Sequence, residues 1–276
     1  MHLTLIPSPF DLDQSLQRMG RAPAELLAAG LVTQLEAAGH TVEVLERETD
    51  LGAGERLTRM GRNLAALAEA VDAARRAGRL PVILGGDCTT SIGVVAGLRR
   101  SLPAELGIAW FDAHGDFNTP ETTISGYLGG MPLACCCGRG LDELRAAAGL
   151  LLPVKEEHVA LLGVRDLDPA EKDLLDTTPV QRFEPAHVSR FAPLAVPTYL
   201  HFDIDALDLA FAPGVSYPAP GGLTPQTALE ATRKVVPHLA AFSLTAVNPE
   251  RDVAGQTVQT ALQILNGVLN QRIERM

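Results

Sequence analysis

Asp112, His114 and Asp116 lie two residues apart in the stretch WFDAHGDFNTPETTISGYLGG, residues 110–130. In an extended strand exit alternate side chains leave the same side of the backbone, so the spacing predicts one shared ligand face. Carboxylates mixed with one imidazole suit a divalent first-row metal such as Mn(II). Ca(II) asks for more oxygens and structural Zn(II) for more sulfur. Two further polar clusters are Gly85-Gly86-Asp87-Cys88 and Asp203-Ile204-Asp205-Ala206-Leu207-Asp208. They supply two more carboxylates of ligand type, Asp203 and Asp205, with Cys88 as a sixth candidate. Packed together, four carboxylates repel one another and rise in pKa unless cations neutralise them. Two divalent ions ~3.5–4 Å apart can bridge a water and hold it as a hydroxide nucleophile. The competing reading is that Asp87, Asp112 and Asp203 cap helices. Three clusters of the same kind, one with His114, favour the metal.

The clusters follow Leu84, Phe111 and Phe202, each closing an apolar run of strand length. Strands are expected at residues 2–6, 41–45, 80–84, 106–111, 158–163, 180–183, 199–202 and 241–246. Helical spacing predicts helices over 26–38, 64–77, 92–100, 141–148, 170–175, 225–236 and 257–269. Strands alternating with helices predict one mainly parallel sheet covered on both faces. In such sheets ligands bind beyond the carboxyl ends of the strands, where the three clusters lie. No repeat or linker divides the chain, so residues 1–276 are expected to form a single domain.

Of 276 residues 46% are hydrophobic, enough for a sizeable core. With 33 acidic against 23 basic residues the net charge is −10, and no basic run could hold a phosphate backbone, so nucleic acid is not an expected partner. No apolar segment reaches the ~18 residues that span a bilayer, and MHLTLIPSPF lacks the pattern of a leader, which predicts a cytoplasmic protein without a membrane partner. Cys88 and the run Cys135, Cys136 and Cys137 show no disulfide or metal spacing; the run reads as small core residues. His2, His40, His158, His187, His201 and His238 read as surface or core histidines. His201 precedes Asp203 by two, but the ligand stretch is placed after it.

The motifs resemble those of the arginase–agmatinase–formimidoylglutamase group, the binuclear manganese ureohydrolases, over residues 80–249. DAHGDFNTPETTISGYLGG is similar to the arginase branch's metal and substrate loop, HFDIDALDLAF to the second Asp pair, and GGLT and GVRDLDP are similar to further family segments. The resemblance implies a three-layer α/β/α fold with about eight strands and a trimeric or hexameric assembly. Asp112 and Asp203 would bridge one or two Mn(II) ions, His114 and Asp205 would complete one site, and Asp116, the candidate catalytic carboxylate, would belong to the other. The implied substrate is a small guanidino or amidino compound. Asn118 and Ser125 would contact its carboxylate, with Asp166 and Asp168 near its α-amino group; as plain loop chemistry the same four residues read as turn and helix-entry residues.

Three positions depart from the pattern. Cys88 replaces the histidine of the Gly-Gly-Asp-His motif; a thiolate favours Zn(II) or Fe(II), or leaves that site weakly occupied. Gly129 stands where arginases carry a proton-shuttling histidine, a loss of ~10²–10⁴-fold in acid–base help. Ala246 stands where a glutamate of the family pairs with the guanidinium; Glu250, close in sequence, is open to two readings, a substitute or a solvent-exposed residue. The expectation is a divergent ureohydrolase using metal-activated hydroxide, with ordinary arginase activity doubtful. N-Hydroxylated arginine, which has a better leaving group, is a candidate substrate. The alternatives are a non-catalytic ligand- or metal-binding or regulatory subunit, and a Cys88 nucleophile, for which no His–carboxylate pair is evident.

Overall fold

Eight parallel strands pair into one sheet, and their order decides which polar clusters meet. The computed structural model describes residues 1–48, 50–102 and 104–273. In chain order the strands are β1 (His2–Ser8), the short arms β2 (Phe10–Asp11) and β3 (Gln14–Ser15) of an antiparallel hairpin, β4 (Thr41–Val44), β5 (Leu80–Gly85), β6 (Gly107–Phe111), β7 (Val159–Leu162), β8 (Gln181–Phe183), β9 (Thr198–Asp203) and β10 (Leu239–Thr245). The helices are α1 (Ala22–Ala28), α2 (Leu31–Ala37), α3 (Arg56–Arg76), α4 (Thr90–Ser101), α5 (Pro132–Cys136), α6 (Asp142–Ala147), α7 (Pro169–Asp176), α8 (Pro225–Thr232) and α9 (Gln256–Ile273).

The sheet order is β4-β1-β5-β10-β9-β6-β7-β8. Strands β5, β6, β9 and β10 are buried along their whole length, as a parallel sheet covered on both faces requires. Alternation sends neighbouring residues into two cores. Leu84, Phe111 and Phe202 pack with Leu26, Leu35, Ala228 and Leu265 on one face. Ile83, Trp110 and Tyr199 pack with Leu64, Val95 and Leu144 on the other. The expected three-layer arrangement is therefore present, and α9, the longest C-terminal helix, is part of it. No helix among the described residues is long and apolar enough to cross a membrane.

Local chemistry explains where the site-bearing helices start. Asp168 accepts from the backbone of Glu171, whose carboxylate accepts in turn from the Asp168 N–H, and Pro169 opens the helix: a capping box begins α7. Thr224 accepts from the Thr227 N–H and Pro225 opens α8 in the same way. The expected helix over 26–38 is two helices, because Gly30 adopts φ 90° and breaks it. The expected helix over 225–236 stops at Thr232 and passes through a turn into a 3-10 segment at Val236–His238. The hairpin and α5 lay outside the sequence expectations. Within α5, Cys135 and Cys136 are fully buried, whereas Cys137, expected in the core with them, is half-buried at the end of the helix.

Candidate metal centre and active site

Strands β9 and β6 are neighbours and β5 is separated from β9 only by β10, so the segments after β5, β6 and β9 meet at one edge of the sheet. There a cavity of about 360 Å³ is lined by Cys88, His114, Asp116, Asp203 and Asp205, among others. His114 Nδ1 lies 3.2 Å from both Asp112 Oδ1 and Asp205 Oδ2. Asp112 Oδ1 accepts the His114 N–H at 2.7 Å, and Asp112 Oδ2 accepts from Trp110 Nε1 at 3.0 Å. Asp203 Oδ1 accepts the Asp205 N–H at 2.7 Å, and its Oδ2 lies 3.0 Å from Cys88 Sγ. Cys88, buried at the edge of the core, therefore has its sulfur against a carboxylate of the cluster.

One donor atom each of Asp112, His114 and Asp205 lie within 4.8 Å of one another, and so do those of Cys88, Asp112 and His201. The expectation that Asp112, His114 and Asp116 share one face of an extended segment fails, because Asp116 has φ 48° and turns the chain. Asp116 still lines the cavity, but it belongs to neither three-residue group. His201, set aside on sequence, is fully buried beside Cys88 and Asp112. Its ring stacks on Trp110 with centroids 3.6 Å apart. Its Nδ1 lies 3.1 Å from both Tyr199 Oη and Ser243 Oγ, and its Nε2 is 3.4 Å from Thr245 Oγ1.

The electrostatics are those of a site built for cations. Burial, then mutual repulsion, pushes Asp203 and Asp116 well above the carboxylate range and Asp112 up to about 6. Burial also acts on Asp205, but His114 outweighs it and holds Asp205 below its usual value. Burial would lower His114, yet Asp205 and Asp112 raise it overall. Burial drives His201 down to about 3, leaving a neutral imidazole. Asp116 Oδ2 is buried with no hydrogen-bond partner among the described residues. An unpartnered buried oxygen among crowded carboxylates is costly, and a divalent cation removes that cost, so these residues fit one. Burial and the carboxylates also push the Cys88 thiol up, the reverse of what a cysteine nucleophile needs.

The substrate-type residues gather in the same cavity, where Asn118, Ser125, Asp166 and Asp168 all contribute to the wall. Asn118 Nδ2 donates to Asp168 Oδ2 at 3.1 Å, while Thr122 Oγ1 donates to Asn118 Oδ1 at 2.9 Å. Ser125 is exposed and accepts the Tyr127 N–H, and Asp166 lies 3.8 Å from His114 Nε2 with its side chain mostly in solvent. Glu250 does not reach the cavity, because its carboxylate accepts the Arg18 N–H, so its reading as a substitute for a glutamate at Ala246 fails. Ala246 itself and Gly129 line the wall.

Three residues passed over on sequence shape the site. Glu171, buried and raised by burial to about 7, accepts the Phe117 N–H at 2.8 Å and so ties the metal-type loop to α7. Arg165 donates to the carbonyls of Asp205 and Ala219, each at 2.8 Å, clamping the segment after β9. Tyr127 lays its ring over Gly129, where an added Cβ would come within 2.7 Å of its hydroxyl oxygen. Arg165 lies inside the GVRDLDP motif and Glu171 two residues beyond it; nothing in the sequence pointed to Tyr127.

A profile of the arginase family matches residues 2–269. Arginase from Bacillus caldovelox is 32% identical over 297 residues, covering 98% of this chain and 99% of that protein. The crystal structure of arginase from Bacillus cereus superposes with a TM-score of 0.87 at 29% identity, covering 97% of this chain and 98% of the other. Proclavaminate amidino hydrolase from Streptomyces clavuligerus shares the fold, with a TM-score of 0.74 at 19% identity over 100% and 93% of the two chains. A cavity edged by three Asp-rich segments, on a sheet of this order and with these similarities, belongs to a member of the arginase family.

Proposed function

We propose that this protein is a metal-dependent ureohydrolase that cleaves a guanidino or amidino C–N bond of an arginine-like small molecule, with N-hydroxylated arginine as the preferred substrate. The observation that carries this reading is the presence in one cavity of two different polar sets. Buried Asp116, Asp203 and Asp205 stand with Cys88 and His114, while Asn118, Ser125, Asp166 and Asp168 form a second group of amino-acid-binding type. Asp112, His114, Asp116, Asp203 and Asp205 are the proposed ligands, and Mn(II) is the expected ion at the Asp112–His114–Asp205 group. Divalent ions held there would supply an activated water as nucleophile.

The chain's own residues do the rest. Asn118 and Ser125 take the substrate carboxylate, and Asp166 and Asp168 the α-amino group, which orients the guanidino carbon toward the carboxylates. Ala246 offers a methyl group where a carboxylate would pair with a guanidinium, so a charged guanidinium forgoes a strong charge-assisted bond. The Tyr127 hydroxyl is the donor nearest Gly129 and can hydrogen-bond the departing nitrogen. A better leaving group needs less of this help, which favours the N-hydroxylated substrate. The relatives' name, arginase, makes arginine the principal competitor.

The test is product release by Mn(II)-loaded protein on arginine, N-hydroxyarginine, agmatine, guanidinobutyrate and formiminoglutamate. The expected result is a kcat/KM for N-hydroxyarginine about tenfold or more above that for arginine. Arginine as the better substrate would remove the stated preference. No turnover of any of them would remove the hydrolase reading in favour of a ligand- or metal-binding protein.

A further inference from the structure

We infer that His201 supplies the imidazole ligand missing at position 88, so that Cys88 Sγ, Asp112 and His201 Nε2 form a mixed sulfur–oxygen–nitrogen site that selects Zn(II) over Mn(II). This rests on the reading above, that cations occupy the carboxylate cluster. It concerns the second group of donors, which shares Asp112 with the Asp112–His114–Asp205 group and draws its other donors from Cys88 and His201.

The three donors come from three separate places in the sheet. Cys88 follows β5 at the head of α4, Asp112 follows β6, and His201 sits within β9. Their donor atoms nonetheless lie within 4.8 Å of one another, and Asp203 Oδ2, 3.0 Å from the Cys88 sulfur, stands ready as a fourth. Zn–S bonds near 2.3 Å and Zn–N bonds near 2.0 Å imply tetrahedral edges of about 3.3–3.8 Å, within reach of small rotations of these side chains.

The surroundings of His201 argue for ligation over simple packing. Two hydroxyls, from Tyr199 and Ser243, fix Nδ1 at 3.1 Å. Metal-bound histidines are oriented by the same kind of second hydrogen bond on the nitrogen away from the metal. The other nitrogen has only a long 3.4 Å contact to Thr245 Oγ1, itself 3.6 Å from the Cys88 sulfur. Among the described residues this buried imidazole nitrogen therefore makes one long hydrogen bond, on the side where Thr245 also meets the Cys88 sulfur. The stacked Trp110 ring links the two remaining donors, because its Nε1 holds Asp112 Oδ2.

Chemically this is an exchange of positions. The short Cys88 leaves room at the start of α4, and the bulk of an imidazole arrives from β9 instead. The donor set becomes softer, and a thiolate with an imidazole favours Zn(II) among the common ions, where carboxylates and water suit Mn(II). Binding deprotonates the Cys88 thiol and releases one proton to solvent.

Co(II), added to the full chain after chelation, is the probe. A thiolate-to-cobalt charge-transfer band in the near ultraviolet is expected. Cys88→Ser should abolish it, and His201→Gln should shift it and weaken Zn(II) affinity about 10–100-fold. His114→Asn, which alters the other group, should leave the band in place. Because His201→Gln perturbs a stacked core residue, X-ray absorption at the zinc edge of the His114→Asn protein gives a second measurement. One sulfur near 2.3 Å together with imidazole scattering is expected. Absence of sulfur, or of imidazole, overturns the inference. Failure of the broader reading is distinct: neither Mn(II) nor Zn(II) would then bind, whereas failure of this inference alone leaves Mn(II) binding at Asp112–His114–Asp205 intact.

Discussion

At the scale of single residues the most informative exchange is Gly129 with Tyr127. A side chain at 129 cannot coexist with the present position of the Tyr127 ring, since an added Cβ would overlap Cε1 and Cζ. The ring also packs 5.2 Å from that of Tyr217, which closes part of the cavity. Burial, with the nearby Asp87 carboxylate, raises the phenol above its ordinary pKa, so the hydroxyl stays protonated and acts as a hydrogen-bond donor to the departing nitrogen. Tyr127→Phe is therefore expected to lower kcat on a guanidino substrate by about 10²-fold, with a smaller loss on N-hydroxyarginine and little change in KM. Steady-state kinetics on both substrates check this. A change confined to KM would assign the contribution to the ring and not to the hydroxyl.

Among the structural elements, the turn from β5 into α4 is the least tolerant part of the site. Gly86 passes against the backbone of β2 so closely that a Cβ there would run into the Phe10 carbonyl. The Gly86 N–H donates to Ser8 O at 3.0 Å and its carbonyl accepts from Ala246 N at 2.7 Å, so the turn joins β1 and the end of β10. Asp87 accepts from Leu12 N and Thr89 N, pinning the hairpin to the head of α4. Gly86→Ala is expected to destabilise the fold by about 1–3 kcal/mol or more, because backbone cannot yield as a side chain can. Calorimetry should show a Tm lower by about 2–4 °C per kcal/mol, together with weaker metal uptake through the displaced Cys88. An unchanged Tm would show that the hairpin moves freely.

For the whole molecule, the crowded carboxylates link stability to pH and to metal. Burial first of all raises Asp87 and Asp112 to about 6 and Glu171 to about 7, from 3.8, 3.8 and 4.5. An acid whose folded pKa is raised binds its proton more tightly in the native state. Its stabilising contribution is complete below the unfolded pKa and is lost as pH rises through the folded one. In EDTA, stability is therefore expected to fall from about pH 4 to about pH 7. A divalent ion at 100 times its Kd adds about 2.7 kcal/mol. At one fixed metal concentration the gain should be larger at pH 7.5 than at pH 5, because protons compete for the same carboxylates and raise the Kd. Urea denaturation at both pH values, with and without metal, measures it; an equal gain at both would mean that the ligands ionise independently of the ion.

The sequence alone determined the parallel α/β architecture, the family and the identity of most polar residues in the cavity. Those features are local: strand-length apolar runs, Asp and His at alternate positions, and a Pro after a capping Asp act through near neighbours in the chain. Tertiary structure decided the rest. His201 reads as a core histidine within its strand, and only the pairing of β9 with β6 and β10 sets it beside Trp110 and Cys88, which is 113 residues away in the chain. The turn at Asp116, the ring of Tyr127 over Gly129 and the capture of Glu250 by the Arg18 backbone depend likewise on what packs against each residue. Side-chain type and spacing fix what chemistry is on offer, while packing between distant segments fixes which atoms can reach one another.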